Sequence, residues 1–201
     1  MDSHGEDPRV QPSTQEPTVE PRKVERVGGR LLLGTSTFMV RRDIFRDPEA
    51  GTVERDLVVH PGSVAMVAYH GNEVLLVKQP REAVAEADLL EIPAGTRDRE
   101  RETALECAQR ELAEEVGVAA GDWEEGPLLY PSPGYTTETC QLYFATELYE
   151  VESPPGSEER IETVRVRLDE LDELIPKIRD AVTVVGLMLL RDRLRARGRA
   201  L

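Results

Sequence analysis

Residues 90–118, LEIPAGTRDRERETALECAQRELAEEVGV, constrain this chain more than any other stretch. An apolar strand end leads into Pro93-Ala94-Gly95, and a charged loop follows. Thr103 and Glu106 have the three-residue spacing of a capping box, so a helix is predicted from about Thr103 to Val116. Gly117 suits the left-handed position that ends helices. Leu105, Ala108, Leu112 and Val116 recur at helical intervals and form an apolar stripe expected to face a core. Glu111, Glu114 and Glu115 stand at i, i+3 and i+4, which puts three carboxylates on another face. Like charges so placed destabilise a bare helix by roughly 0.2–0.5 kcal/mol per pair. Most acidic helix faces are simply solvated. The alternative is a hard divalent cation, and Mg²⁺ is typically held by one or two carboxylates together with substrate phosphates.

The pattern around these carboxylates favours the second reading. Gly95, Glu102, Arg110-Glu111-Leu112, Glu114-Glu115 and Gly117-Val118 resemble the Nudix box, G-x5-E-x7-R-E-U-x-E-E-x-G-U with U aliphatic. From Glu102 onward the match is complete. Six residues, not five, separate Gly95 from Glu102, and the extra one falls in the loop before the helix. The resemblance to the ADP-ribose pyrophosphatase branch of that family reaches from about Arg30 to Leu190. It includes Gln79-Pro80-Arg81, Glu91-Ile92-Pro93-Ala94-Gly95, and Pro133, sixteen residues beyond Gly117. Glu138 and the segment Arg55-Asp56 to His60-Pro61-Gly62 extend it further.

The resemblance implies an α/β fold, a Nudix-type α/β/α sandwich with a mixed β-sheet, and N-terminal strands used in dimerisation. It implies Mg²⁺, with Mn²⁺ as a possible substitute, held by the Ala94 carbonyl, Glu111 and Glu115, with Glu114 contributing. Gly95, Glu102 and Arg110 are then structural, the last two as an ion pair bracing helix and loop. The catalytic base is expected on an acidic loop before the last strand, at Glu162, with Glu159 as the second candidate. Arg55 and Arg81 are candidates for substrate phosphate or ribose, because Arg offers bidentate donors, and Glu138 for a ribose hydroxyl or for assisting metal binding. Phe38, Phe45 and Tyr135 are candidate platforms for a base.

The implied reaction is Mg²⁺-dependent hydrolysis of ADP-ribose to AMP and ribose 5-phosphate by a homodimer. Another nucleoside diphosphate sugar or dinucleotide, such as ADP-glucose, GDP-mannose or NADH, is the alternative substrate. A non-catalytic module that binds ADP-ribose is a third reading, disfavoured by the intact glutamate set.

Charge narrows the partners. The formal net charge is −14, which repels nucleic acid backbones and anionic membranes. No apolar run reaches membrane-spanning length and no signal-peptide core precedes the domain, so a cytoplasmic protein is expected. Cys107 and Cys140 have neither disulfide nor zinc spacing and read as small buried hydrophobes.

Residues 1–24, which include a lone His4, are rich in Pro, Glu, Ser and Thr and read as a mobile tail. Residues 25–60 form the expected strand region for dimerisation, and residues 61–198 the catalytic domain. Strands are predicted at Leu31–Leu33, Phe38–Phe45, Arg55–His60, Val64–Tyr69, Glu73–Gln79, Leu89–Ile92, Pro127–Tyr130, Thr139–Leu148 and Thr163–Leu168. Residues 47–51 and 132–135 read as turns, 152–161 as a loop, Leu168–Ile175 as a short helix and Ile178–Arg197 as a long one. Trp123 is expected to plug the surface against the core.

Overall fold

A computed structural model describes residues 23–36, 38–152 and 160–198. The expected N-terminal tail, apart from Lys23 and Val24, therefore lies outside the described residues, as does His4. The strands run β1 (Glu25–Gly34), β2 (Met39–Asp47), β3 (Gly51–Val59), β4 (Ser63–His70), β5 (Glu73–Arg81), β6 (Glu86–Glu91) and β7 (Ala94–Thr96). After helix α1 (Ala104–Val116) come β8 (Val118–Leu129), β9 (Cys140–Glu150) and β10 (Glu162–Arg167). Helices α2 (Leu171–Leu174) and α3 (Ala181–Ala196) follow.

The layering follows from β4, where every residue from Val64 to Ala68 is fully buried. Successive side chains of a strand point to opposite faces, so both faces of this sheet must be covered. Val64, Met66 and Ala68 pack with Cys107, Ala108 and Leu112 of α1. Ala65 and Val67 pack with Leu187, Leu190 and Leu194 of α3. Leu75 of β5 joins the first group, Val74 and Leu76 the second. The result is a helix-sheet-helix sandwich. Its sheet runs β10-β5-β4-β9-β8, with β6 added beside β5 and β7 beside β4. β4 and β9 are parallel and the other pairs antiparallel, so the sheet is mixed.

β1, β2 and β3 form a separate antiparallel sheet. Little apolar surface holds it. Leu31, Leu32 and Leu33 are exposed, while the buried Asp43 carboxylate pairs with Arg26 at 2.6 Å and Arg41 at 3.2 Å. It joins the rest of the molecule at Val58. The Val58 N–H donates to the Tyr135 carbonyl at 2.8 Å, and the Val58 carbonyl accepts from Thr137 N–H at 2.9 Å.

Several expectations need correcting. Leu31–Leu33 is the end of a ten-residue strand. Pro127–Tyr130 is the end of a twelve-residue one, β8. β8 lies at the sheet edge and pairs only with β9, so its Gly, Asp and Glu residues are tolerated. Residues 94–96, read as loop, pair with β4. On α1 the residues that face the core are Cys107, Ala108 and Leu112, all fully buried, while Leu105 of the expected stripe is exposed. The long helix starts at Ala181 instead of Ile178, because the Asp180 carboxylate accepts from Thr183 N–H at 2.7 Å and caps it. Burial pushes the Cys107 thiol up to about 12 and the Cys140 thiol to about 11, which keeps both as inert thiols. Trp123 meets Tyr143 edge-on at 6.1 Å between ring centres. No helix among the described residues is long and apolar enough to cross a membrane.

Candidate active site

The geometry begins with how α1 is held. At its start the Thr103 hydroxyl accepts from Glu106 N–H at 3.2 Å, and the Glu106 carboxylate accepts from Thr103 N–H at 2.8 Å. The backbone bond from Thr103 lowers the Glu106 pKa. At its end Gly117 takes φ +73° and donates its N–H to Ala113 at 3.1 Å. These local signals fix which residues face which way.

Arg110 then organises the outer face. Its Nε and Nη2 donate to the two oxygens of Glu102 at 2.8 and 2.9 Å. Its Nη1 donates to Glu111 at 2.5 Å and to Glu114 at 2.9 Å. The hydrogen bonds from Arg110 hold the Glu102 carboxyl below its usual range, and those same bonds raise the Arg110 pKa. Glu102 and Arg110 are thus the ion pair joining loop and helix. Glu114 is also claimed by Arg99 at 3.2 Å.

The inner face of α1 borders a cavity of about 810 Å³. Glu111 lies over Gly95 so closely that a Cβ there would come within 2.1 Å of its Cγ and Cδ. The Glu115 carboxylate accepts from Ala94 N–H at 3.0 Å. Gly95 therefore has to be glycine, and the box loop and box helix are locked together through the two glutamates. Across the sheet, Gln79 and Arg81 stand two residues apart on β5 and so share a face. Both reach the buried Glu91. Gln79 Nε2 donates at 3.0 Å, and Arg81 makes contacts of 2.8–3.1 Å through Nε and Nη2. Burial opposes the Arg81 charge, but the hydrogen bonds and charge of Glu91 outweigh it and raise the pKa, with Glu115 and Asp180 adding to the effect. Ser63 donates to Glu138 at 2.9 Å, and Thr183 at the start of α3 accepts from the buried Ile92 N–H at 2.9 Å.

Six carboxylates line the cavity, those of Glu91, Asp98, Glu111, Glu115, Glu138 and Asp180, against the guanidiniums of Arg81 and Arg97. The structure brings together Ala94, Gly95, Glu111, Glu115, Arg81 and Glu138 of the expected set. It does not bring the others there. Glu102, Arg110 and Glu114 stand outside the cavity lining, in the ion-pair network. Arg55 lies in the three-stranded sheet and donates to the Glu54 carbonyl at 2.8 Å. Glu162 is exposed at the start of β10, opposite Lys78 on β5. Glu159 lies outside the described residues. Phe38, Phe45 and Tyr135 are absent from the lining as well.

The sequence motifs contain Glu91 and His60 without marking either as a site residue, and Arg97 and Asp180 occupy none of their fixed positions. The i, i+2 spacing of Gln79 and Arg81 was a usable signal for Glu91, since two polar side chains on one face of a buried strand need a partner. Nothing local marked Asp180, which reaches the cavity only because α3 crosses the sheet.

Among the described residues, no three His, Cys, Asp or Glu side chains are already gathered as a metal cage. Glu111 and Glu115 nonetheless supply hard oxygens one helical turn apart beside a cavity rich in carboxylates. That donor set fits Mg²⁺, which needs few protein ligands and keeps several waters.

Residues 59–184 match the NUDIX domain model. Over 136 residues the chain is 38% identical to "ADP-ribose pyrophosphatase" of Mycobacterium tuberculosis (strain ATCC 25618 / H37Rv), covering 67% of this chain and 65% of that protein's length. It is 31% identical over 149 residues to "ADP-ribose pyrophosphatase" of Bacillus subtilis (strain 168), covering 72% of this chain and 80% of that protein. A crystal structure of an "ADP compounds hydrolase" superposes with a TM-score of 0.77 at 23% identity, covering 89% of this chain and 98% of that one, and shares the fold.

Proposed function

This chain belongs to the Nudix hydrolase family, and from that premise we propose that it hydrolyses the pyrophosphate bond of ADP-ribose to AMP and ribose 5-phosphate in a Mg²⁺-dependent reaction. Two relatives whose names state that activity support the substrate. The observation that carries the reading is the charge of the cavity, six carboxylates against two guanidiniums. A diphosphate anion is repelled there unless cations accompany it. The Ala94 carbonyl, Glu111 and Glu115 would hold Mg²⁺ or Mn²⁺, with Glu114 contributing from the Arg110 network. When bound, the metal supplies charge neutralisation and a more acidic water.

The chain's own groups do the remaining work in this reading. Arg110 sets the position of Glu111 through the 2.5 Å bond. Arg81, braced by Glu91, offers guanidinium N–H groups to phosphate oxygens. Glu138 accepts from a ribose hydroxyl. Glu162, or else Glu159, takes the proton of the attacking water. Glu162→Gln lowers kcat by about 10²–10⁴ with little change in KM, as loss of a general base does. A crippled Glu159→Gln beside a normal Glu162→Gln moves the base to Glu159.

A second reading keeps the chemistry and changes the leaving group. Among the described residues none of Phe38, Phe45 and Tyr135 lines the cavity, which favours tolerance of another nucleoside diphosphate sugar or a dinucleotide. A panel of ADP-ribose, ADP-glucose, GDP-mannose and NADH with Mg²⁺ or Mn²⁺, scored by product identity, decides between the two. We further propose that residues 25–60 mediate a homodimer through the exposed leucines of β1, with residues 61–198 as the catalytic domain. Light scattering that reports a monomer refutes the dimer.

A further inference from the structure

We infer that Arg97 is a substrate-binding residue whose guanidinium contacts a phosphate oxygen of the substrate, an inference that rests on the nucleoside diphosphate reading above. Of the two guanidiniums that line the cavity, Arg81 is paired with Glu91 at 2.8 Å. Arg97 makes no ion pair among the described residues. That is unusual in a cavity with six carboxylates. A guanidinium on a flexible side chain ordinarily drifts to the nearest carboxylate, as Arg99 does to Glu114.

The root of Arg97 is fixed while its charge stays unspent. Its N–H donates to the Gly62 carbonyl at 3.1 Å. Gly62 adopts φ +102°, and a Cβ there would meet Thr139 Oγ1 at 3.3 Å and Arg97 Cδ at 3.9 Å. The Arg97 side chain therefore passes within van der Waals contact of a glycine whose left-handed backbone disfavours a larger residue. The Gly62 N–H in turn donates to His60 Nδ1 at 3.1 Å, and His60 also lines the cavity. An anchored, unpaired guanidinium beside acidic groups that suit cations supplies what a metal-bound diphosphate needs on its remaining oxygens. Its planar fork matches phosphate geometry. Arg97 is the second residue of the loop between Gly95 and Glu102, the segment that is one residue longer than the box pattern. The inserted length thus lies in the segment that delivers the cation.

The experiment measures steady-state kinetics on ADP-ribose with Mg²⁺, and calorimetric binding of ADP with Mg²⁺, for the parent chain, Arg97→Ala and Arg97→Lys. Arg97→Ala raises KM and weakens ADP binding by about tenfold, the lower end for loss of a charged hydrogen bond. The larger loss falls on KM instead of kcat. The dependence of KM on salt becomes shallower, and Arg97→Lys recovers part of the affinity, which a merely structural residue would not do. Arg97 is exposed, and circular dichroism confirms that each variant is folded. Turnover by the parent with KM, salt dependence and ADP affinity unaltered in Arg97→Ala overturns this inference alone. Arg97-dependent ADP binding without turnover overturns the hydrolase reading and supports this inference. Absence of both binding and turnover overturns both.

Discussion

Helices α1 and α3 cover opposite faces of one sheet and border the same cavity, yet they are held by different means. α1 buries only Cys107, Ala108 and Leu112. Its position depends on a polar frame: the capping box, the Arg110 network and the bond from Ala94 N–H to Glu115. α3 is held by shape. A Cβ on Gly186 would stand 2.9 Å from Val67 and 3.1 Å from Ile92, so helix and sheet approach as closely as backbone allows. The buried Thr183 then grips the Ile92 N–H. The helix with the smaller apolar hold carries the carboxylates, because its outer surface stays polar. The helix with the larger hold carries the frame.

The largest test of that division is Glu115→Gln. Gln keeps an acceptor for the Ala94 N–H but loses the charge, so turnover of ADP-ribose falls by more than about 100-fold while the thermal midpoint barely moves. Near-normal turnover at saturating Mg²⁺ breaks the assignment of chemistry to α1. Gly186→Val on α3 does the reverse. It overpacks the seam with Val67 and Ile92 and costs about 1–3 kcal/mol, read as a lower denaturant midpoint, with KM unchanged per folded molecule. A variant as stable as the parent refutes the close seat of α3.

Thr183→Val sharpens the comparison, since Thr183 is where the frame touches the site. It leaves the Ile92 N–H buried without an acceptor and costs about 1–2 kcal/mol. KM also rises, because Ile92 lies between Glu91 and Ala94. An effect on stability with none on KM confines α3 to the frame. The smallest effect is Glu102→Gln. Hydrogen bonds from Arg110 depress the folded pKa of Glu102 below 4.5, its ordinary value. A depressed carboxylate contributes stability that is fully present above the unfolded pKa and lost as pH falls through the folded one. The parent is therefore slightly more stable than Glu102→Gln at neutral pH, and the gap closes in acid. Urea midpoints measured at descending pH check it. A gap that persists in acid assigns the role of Glu102 to something other than its charge.

The same contrast explains what could be read from the chain beforehand. The α1 boundaries rest on contacts three or four residues apart, so Thr103, Glu106 and Gly117 announced them. The glutamates of the box could be placed on faces for the same reason. The composition of residues 118–126 says loop, and only their pairing with β9 makes them extended. The helical spacing that puts Leu105 on the apolar stripe with Ala108 and Leu112 holds for the latter two, but the seam beside β4 takes the smaller Cys107 in its place. Arg97 and Asp180 acquire their meaning from neighbours far along the chain, which no local pattern reveals, whereas Glu91 could have been sought from the paired polar residues Gln79 and Arg81.

The bonds that close the cavity span long separations: 91 residues from Ile92 to Thr183, 77 from His60 to Thr137 and 75 from Ser63 to Glu138. Closing such loops costs entropy before any contact rewards it. A fragment ending before Thr183 would contain the whole box and its helix, with Glu111, Glu114 and Glu115. It would lack the hydroxyl that fixes Ile92, and with it the seat of Glu91 and Arg81. During synthesis, then, the chemistry-bearing segment emerges before α3, whose Thr183 hydroxyl completes its pocket.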